Sequence, residues 1–568
     1  MLLLTGRNLN GATVTTQHPG VRVSKTEEGA SSHYLFVWLQ IAADVMPGAL
    51  PLQVRSGSQT TTVSFPLLSR QQRQQFPGGV SQNDVIYLVM PDRFADGDPS
   101  NDQPPNSTAV YDRNQPKAYH GGDLQGIRQR LPYLHELGVT TLWLTPVWKN
   151  TDSDYHGYHV VDFYAIDPHM GALQDYQALV GDAHKLGMKV LIDYVTNHTG
   201  PHIPWAKDPP TSHWFNGTPE NHLAANYQFN GLTDPHATPR SYRDVLQGWF
   251  VDKLPDLNAD DPLVAEYLDQ NALWWTEVSG LDGFRLDTFP YSSRRFWSGW
   301  HAAMRQVYPG LFTVGEVADS DPTITSFFAG GRKQFDGVDS GATTIFDFPL
   351  FHAIRDVILR NAPVQRMIDV LRQDSLYPHP ENLVTFIGNH DNCRFMGEKG
   401  SSKEKLEAAV GLLLTLRGIP QIYSGDEIGM PGGDDPDNRR DFPGGFPGDP
   451  RSAFTLSGRT PEQQEIFSHV RTLIRLRQAH PALRTGHEWH IGWDDTYFAF
   501  LRETPEERLL VVFNNADRPR SVDLALPDTP LERTTEIERL LGSGEASLQE
   551  KAMRLTMPAE SVSIYQVK

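Results

Sequence analysis

Two rhythms of apolar residues divide the chain near residue 85. Before it, short stretches alternate apolar and polar positions. LLLTGRNLNGATV reads as two strands about a Gly/Asn turn, and residues 33–41, residues 50–56 and TTTVSFPLL continue the pattern. Period-two alternation marks strands with one buried face. It predicts a small immunoglobulin-like β-sandwich over residues 1–70, about one strand short of the usual seven. With the initiator Met already at a strand edge, the native protein is expected to begin earlier and this domain to be truncated. From residue 85 the strands become near-continuously apolar, at 85–90, 139–147 and 188–195, with amphipathic helices at 123–137 (closed by Gly138) and 176–186 between them. Further strands begin at Gly283, Phe312, Thr344, Val384 and Ile419, which makes eight. Such strands predict a parallel sheet covered on both faces. Eight units over this length predict an α/β fold, an eight-stranded TIM (β/α) barrel, at residues 80–483. No glycine-rich phosphate loop follows the first strand, which disfavours a dinucleotide-binding sheet.

Two segments break the barrel rhythm. Residues 199–258, after the third strand, are rich in Pro, His, Asn and Trp and show little helical periodicity. A loop of that length is usually functional, and it is expected to form an inserted domain over the C-terminal rim. Residues 484–568 return to β texture (HIGWDDTYFAFLRE, RLLVVFNNA, SVDLALP, SVSIYQVK) and predict a C-terminal β-sandwich with a stabilising or substrate-orienting role.

Composition narrows the function classes. A chain of 568 residues with 39% hydrophobic and 21% charged residues is a multidomain globular protein. Its net charge of −19 opposes a nucleic-acid or anionic-membrane partner. No apolar run approaches the ~20 residues of a membrane span. MLLLTG is too short for a signal peptide, so the chain as it stands is expected to be cytoplasmic; an earlier native start would admit a periplasmic or secreted protein. Cys393 is the only cysteine, which excludes an internal disulfide. The 12 Trp, 19 Tyr and 27 Phe suit a neutral, polyhydroxylated ligand, although most such rings belong in cores.

Candidate chemistry collects at strand ends. DGFRLDTFP carries Arg285 and Asp287 to the end of one strand, on one face because side chains two apart share a face. LFTVGE ends on Glu316. Two parallel strands ending in acids put two carboxylates on one rim, which suits cleavage of a glycosidic bond: one attacks the anomeric carbon and one protonates the leaving oxygen. Arg285 is expected to keep Asp287 ionised. DYVTNH adds Asp193, Asn197 and His198; FIGNHDN adds His390 and Asp391; HGYHVVDFYAIDP adds Tyr158 and Asp162. A zinc centre built on His198, His390 and the carboxylates is disfavoured, because no HxH or HExxH spacing occurs. Asp96, Asp98, Asn101 and Asp102 crowd one loop, where hard oxygen ligands suit Ca2+.

Taken in order, DYVTNH, GFRLD, GE and FIGNHD, with LPDLN and GVTTLWLTPV, resemble the α-amylase superfamily, glycoside hydrolase family 13, over residues 85–568. The resemblance implies Asp287 as nucleophile, Glu316 as general acid/base and Asp391 as the carboxylate that orients the distorted sugar. It implies that His198, Arg285 and His390 bind hydroxyls or position the acids, that Tyr158 stacks on the sugar, and that Gly121 and Asp123 complete the calcium shell. PDRFADGDPSND, YHGGDLQGI, FRLDTFPYS and NRRDFPGGFPGD resemble the cyclomaltodextrinase, neopullulanase and maltogenic amylase group, most closely its cyclomaltodextrinase branch. That implies α-glucan oligosaccharide substrates and a monomer or homodimer. LPDLN lies between the neopullulanase and oligo-1,6-glucosidase versions, and GEVAD lacks the tryptophan that follows the acid in neopullulanases. The aromatic side chains of residues 199–258 (Trp205, Trp214, Phe215, Tyr227, Phe229 and Trp249) are expected to wall a narrow cleft.

Overall fold

The computed structural model describes residues 1–70, 79–152 and 154–568. Eight parallel strands form the central sheet: Ile86–Val89, Thr141–Leu144, Lys189–Tyr194, Gly283–Leu286, Phe312–Gly315, Thr344–Ile345, Val384–Phe386 and Ile419–Tyr423. Each pairs with its sequence neighbour, the eighth also pairs with the first, and a parallel bridge between Phe346 and Val384 closes the ring. The predicted barrel is therefore present. Its helices begin at recognisable signals. Asp123 caps Leu124–Leu137 by accepting from Gly126 N–H, and Gly138 ends that helix at φ 103°, where a Cβ would be strained. Thr460 and Gln463 form a capping box on Pro461–Ala479.

Strand alternation sets what the barrel can do. Ile86, Leu88, Trp143, Leu191, Phe312, Val314, Phe386 and Ile419 form one cluster and fill the interior. Tyr87, Leu142, Ile192 and Phe284 belong to the larger cluster under the helices. The period of two that turns Leu191 and Val314 inward carries Asp193 and Glu316 inward at the strand ends. Asp193 lies in register with Arg285, which lies in register with Val314.

The N-terminal region has two three-stranded antiparallel sheets, Leu2–Thr5, Tyr34–Ile41 and Val21–Glu28 in one, Thr13–Thr15, Gly48–Ser56 and Gln59–Leu67 in the other. Val21–Glu28 is not evident in the sequence, because its VRVSKTEE stretch is mostly polar and only Val21 is fully buried. This region rests on the barrel through Trp38 Nε1–H, which donates to Glu266 Oε1 at 2.9 Å, and on the insertion through the Tyr34 hydroxyl, which donates to the Asp208 carbonyl at 2.8 Å. The C-terminal region pairs a five-stranded with a three-stranded sheet, including the unpredicted strands Ile537–Leu541, Glu545–Leu548 and Ala552–Met557. Among the described residues, no helix is long and apolar enough to cross a membrane.

The inserted segment corrects two expectations. It contains a helix, Pro239–Leu246, started by Thr238 and Pro239. Its aromatic side chains mostly do not wall the cleft: Trp214, Phe215, Phe229 and Trp249 are buried. Trp205 packs edge-on against Trp214 and Tyr267, and only Tyr227 among the six is exposed. A segment with so little regular structure needs an apolar core of its own, and these rings supply it.

Candidate active site

The cleft has a volume of about 610 Å³ and opens at the C-terminal ends of the barrel strands, with Tyr158, His198, Asp287, Glu316 and Asp391 in its walls. Its floor is organised by one buried guanidinium. Arg285 Nη1 lies 2.8 Å from Asp193 Oδ1 and 2.5 Å from Asp287 Oδ1, and Nη2 lies 2.6 Å from Glu316 Oε1. Two acids on adjacent strands thus share one planar cation, which makes them close neighbours.

Thr288 links the same two acids. Its backbone N–H donates to Glu316 Oε2 at 3.0 Å and its hydroxyl donates to Asp287 Oδ2 at 3.0 Å. It does so at φ 44°, a left-handed conformation that costs a β-branched residue energy. Strain of this kind persists where the surroundings over-determine the backbone, as they do here.

Three carboxylates around one cation leave the floor short of positive charge. Burial raises Glu316 to about 8, Arg285 opposes the rise, and Asp287 and Asp391 add to it. Burial also raises Asp193 to about 7 and lifts Asp287 above the ordinary aspartate range. Arg285 therefore opposes the effect of burial on Asp287 without cancelling it, less than the sequence led us to expect. Asp391 differs. Loss of surrounding water pushes it up, but His390, which takes up its second proton only in the acid range, together with Arg439 and Arg285 outweighs that and holds it below the usual range. Its side chain is 44% exposed, and Arg439 Nη2 reaches Asp391 Oδ1 at 3.0 Å.

The remaining predicted residues are placed as follows. The Tyr158 hydroxyl donates to Asp193 Oδ2 at 2.8 Å and lies 2.6 Å from His390 Nε2, whose ring is parallel to its own at 5.4 Å. A hydroxyl has one proton, so His390 carries its own on Nε2. Burial pushes His390 and His198 down to about 3, and both are neutral at physiological pH. His198 stacks on Phe250 at 5.5 Å. Asp162 is exposed on the strand Val160–Ile166 and accepts from Tyr164 N–H on the same strand, and it does not line the cleft. Asn197 is buried; with its amide turned, it donates to Asp256 Oδ1 and the Tyr291 carbonyl, a structural role. Cys393 is half-buried, with Sγ 3.3 Å from the Gly432 carbonyl, and does not line the cleft.

The predicted calcium loop holds an uncompensated set of oxygens. Asp96 Oδ1 and Oδ2, Asn101 Oδ1 and Asp102 Oδ1 are buried without a hydrogen-bond partner. Burial and neighbouring carboxylates raise Asp96 to about 7. All-oxygen donors short of positive charge fit a hard cation. Two members differ from expectation. Asp98 Oδ1 accepts from Ser100 N–H and Oγ–H, and the Asp123 carboxylate accepts from Asp98 N–H, Gly126 N–H and Asn101 Nδ2. Asp123 frames the loop because it also caps the following helix.

Sequence reasoning missed Arg439, Thr288 and the group Asp154, His156 and His159. NRRDFPGG contains Arg439 and HGYH contains both histidines, so the signals were present as motifs without a role.

Parallel strands ending in paired carboxylates at the barrel's C-terminal rim define a glycosidase type of site. The family described as the α-amylase catalytic domain matches residues 88–486, and the cyclomaltodextrinase N-terminal domain matches residues 1–71. A β/α-amylase of Paenibacillus polymyxa is 31% identical over 84% of this chain, which spans only 37% of that longer protein. A cyclomaltodextrinase of a Bacillus species is 31% identical over 76% of this chain and 72% of its own length. Other relatives are named neopullulanase and maltogenic α-amylase. The structure of an α-amylase from Geobacillus thermoleovorans complexed with acarbose superposes with a TM-score of 0.72 at 30% identity, covering 86% of this chain and 98% of that one. The chain belongs to the α-amylase family, the α-glucan hydrolases of glycoside hydrolase family 13.

Proposed function

We propose that this protein hydrolyses α-1,4-glucosidic bonds of cyclomaltodextrins and short maltodextrins to maltose and glucose with retention of configuration. The observation that carries the reading is Arg285 ion-paired to both Asp287 and Glu316 on the cleft floor. Carboxylates that close suit the retaining separation of about 5–5.5 Å, which leaves no room for a water between them. The Asp287 carboxylate attacks C1 of the sugar while protonated Glu316 gives its proton to the leaving glycosidic oxygen. The resulting glycosyl ester on Asp287 is attacked by water, whose proton returns to Glu316. Arg285 and Thr288 hold both acids in place, and anionic Asp391, held by Arg439, accepts hydroxyls of the distorted ring. Tyr158 offers its ring to the sugar face.

The cyclic substrate rests on the N-terminal domain match and the cyclomaltodextrinase relative. A ring-closed glucan has already given up conformational freedom, which lowers the ordering cost of entering a cleft. The main competing reading is an endo-acting amylase or neopullulanase, favoured by the inward packing of the insertion's aromatic side chains; a glucan-transferring relative would instead pass the glycosyl-enzyme to a sugar hydroxyl. Catalytic efficiency and products on β-cyclodextrin, soluble starch and pullulan, measured side by side, test it. A several-fold preference for starch with early release of long oligosaccharides would refute the cyclomaltodextrinase reading.

Within the same proposal, Ca2+ binds Asp96, Asn101 and Asp102 with the Gly121 carbonyl. Asp98 and Asp123 shape the loop. The family's enzymes commonly bind structural calcium, and here the ion would neutralise buried carboxylates that do not line the cleft.

A further inference from the structure

The other end of the barrel carries a pocket that glycoside hydrolysis does not use. Its volume is about 620 Å³, within the ~300–1,000 Å³ of small-ligand sites. On the barrel side it is lined by Gln82, Glu381 and Arg417, each just ahead of a barrel strand, at Ile86, Val384 and Ile419. The pocket therefore opens at the N-terminal face, opposite the rim that holds Asp287, Glu316 and Asp391. Among the described residues its walls share none with the catalytic cleft. Its far side is the strand His487–Trp493, the edge of the C-terminal five-stranded sheet.

One wall of the pocket is an open indole. Of the 12 tryptophans only Trp489 and Trp493 are exposed, and Trp489, at 42%, lines this pocket. Its Nε1–H donates to Glu503 Oε2 at 2.8 Å, and His487 meets it edge-on with centroids 4.4 Å apart. The ring plane is thus fixed while the ring stays uncovered, which suits a stacking surface better than a core. The other walls are polar and balanced: Arg417, Arg484 and Arg502 stand with Asp374, Glu381 and Glu488. Arg417 Nε and Nη2 reach Asp374 at 2.8 and 2.6 Å, and Arg502 Nη1 reaches Glu488 Oε2 at 3.2 Å. The Nε–H groups of Arg484 and Arg502, however, are buried with no hydrogen-bond partner among the described residues. A buried donor left unpaired is costly, and a ligand oxygen would supply the missing acceptor.

Equal numbers of cations and anions give an ion of either sign no net attraction. They suit a neutral ligand rich in hydroxyls, each of which accepts from a guanidinium and donates to a carboxylate. In an α-glucan hydrolase the ligand of that chemistry is an α-glucan, whose sugar rings also carry a C–H face for the indole. We propose that this pocket is a second, non-catalytic α-glucan site, in which a glucose unit stacks on Trp489 and its hydroxyls accept from Arg484 and Arg502. The site tethers the enzyme to long or branched glucans without occupying the cleft. A substrate as short as maltotriose cannot reach both ends of the barrel and gains nothing from it.

The ligand class rests on the α-glucan reading, and the test keeps the two apart by measuring binding without turnover. The full chain carrying Glu316→Gln is run in native gels containing amylopectin, and its apparent Kd is read from the retardation. Adding Trp489→Ala should raise that Kd roughly three- to tenfold, the worth of one aromatic contact, and Trp489→Tyr should recover most of the loss. In the otherwise native chain, Trp489→Ala should leave kcat and KM for maltotriose unchanged. If circular dichroism shows that Trp489→Ala has not folded, Glu381→Ala, from the opposite wall, decides in its place with the same expected loss. No retardation of the parent chain, or retardation unchanged in the deciding variant, overturns the site. A rise in KM for maltotriose that matches the loss of amylopectin binding overturns its independence from the cleft. A native chain inactive on every glucan would refute the hydrolase reading and leave the binding result standing.

Discussion

Glu316→Gln is the sharpest perturbation of the proposed mechanism, because the amide keeps the shape and removes only the proton chemistry. In the native floor, Glu316 accepts from Arg285 Nη2 at 2.6 Å and from Thr288 N–H at 3.0 Å. A glutamine oxygen still accepts from Arg285, and only the Thr288 contact is lost, at about 1 kcal/mol. Arg285 keeps Asp193 and Asp287. Folding therefore survives, and the whole effect should fall on turnover. General acid–base assistance is typically worth about 10²–10⁴-fold, or roughly 2.7–5.4 kcal/mol of barrier at 1.36 kcal/mol per tenfold. A loss of that size in kcat is expected on maltotriose, whose leaving alcohol needs a proton. α-Maltosyl fluoride needs almost none, so the variant should release a burst of fluoride and accumulate glycosyl-enzyme on Asp287.

The pH profile supplies an independent reading. Glu316 works protonated, so kcat/KM of the wild type should fall as pH rises through about 8, the value to which burial pushes this acid. Asp287 works ionised, so the acidic limb should lie above the ordinary aspartate range. In Glu316→Gln the basic limb should vanish. Turnover within tenfold of wild type on maltotriose, or absence of the fluoride burst, would refute the assignment.

Two further outcomes follow from the frame of the site. Calcium should raise Tm, by about 2.7 kcal/mol of stability at a hundredfold excess over Kd, and Asp96→Ala should abolish the response to both calcium and chelator in differential scanning fluorimetry. Gly157→Ala should cost at least the ~1–2 kcal/mol of a left-handed L-residue, because its Cβ would also meet the Pro146 carbonyl oxygen at 2.1 Å. Displacement of Tyr158 should then raise KM for maltotriose; an unchanged KM and Tm would show that the turn is not what places that ring.

What the sequence made legible was whatever repeats on a short period. Eight apolar strands, and acids or arginine at their ends, are local patterns, and the alternation that turns Leu191 inward also turns Asp193 inward. Two kinds of feature were hidden. Contacts between distant loops, such as Arg439 on Asp391, depend on closure of the barrel and have no local signature. Side-chain direction in irregular chain was equally opaque: the aromatic side chains of the insertion looked like a cleft wall, yet Trp214 and Trp249 are its core. Where no period fixes a face, burial is decided by what the segment must cover, and composition cannot reveal that.

The same electrostatics that equip the floor for catalysis should weaken the fold at high pH. Arg285 faces Asp193, Asp287 and Glu316, and burial raises all three acids. An acid whose pKa is higher folded than unfolded binds its proton more tightly in the folded state. Its stabilising contribution is complete below the unfolded value and is lost as pH rises through the folded one. For Glu316 that window runs from the ordinary glutamate value of 4.5 to about 8. Glutamine cannot ionise, so Glu316→Gln escapes the loss. Below the window the variant should be slightly less stable than wild type, by the single Thr288 contact of about 1 kcal/mol. Above it the order should reverse by on the order of a few kcal/mol, since each pKa unit is worth about 1.36 kcal/mol. Urea unfolding of both proteins between pH 4 and pH 9 reads the difference directly. A gap that does not change with pH would mean that Glu316 ionises in the folded protein as easily as in the unfolded chain. The proton proposed for catalysis would then have no structural reason to be there.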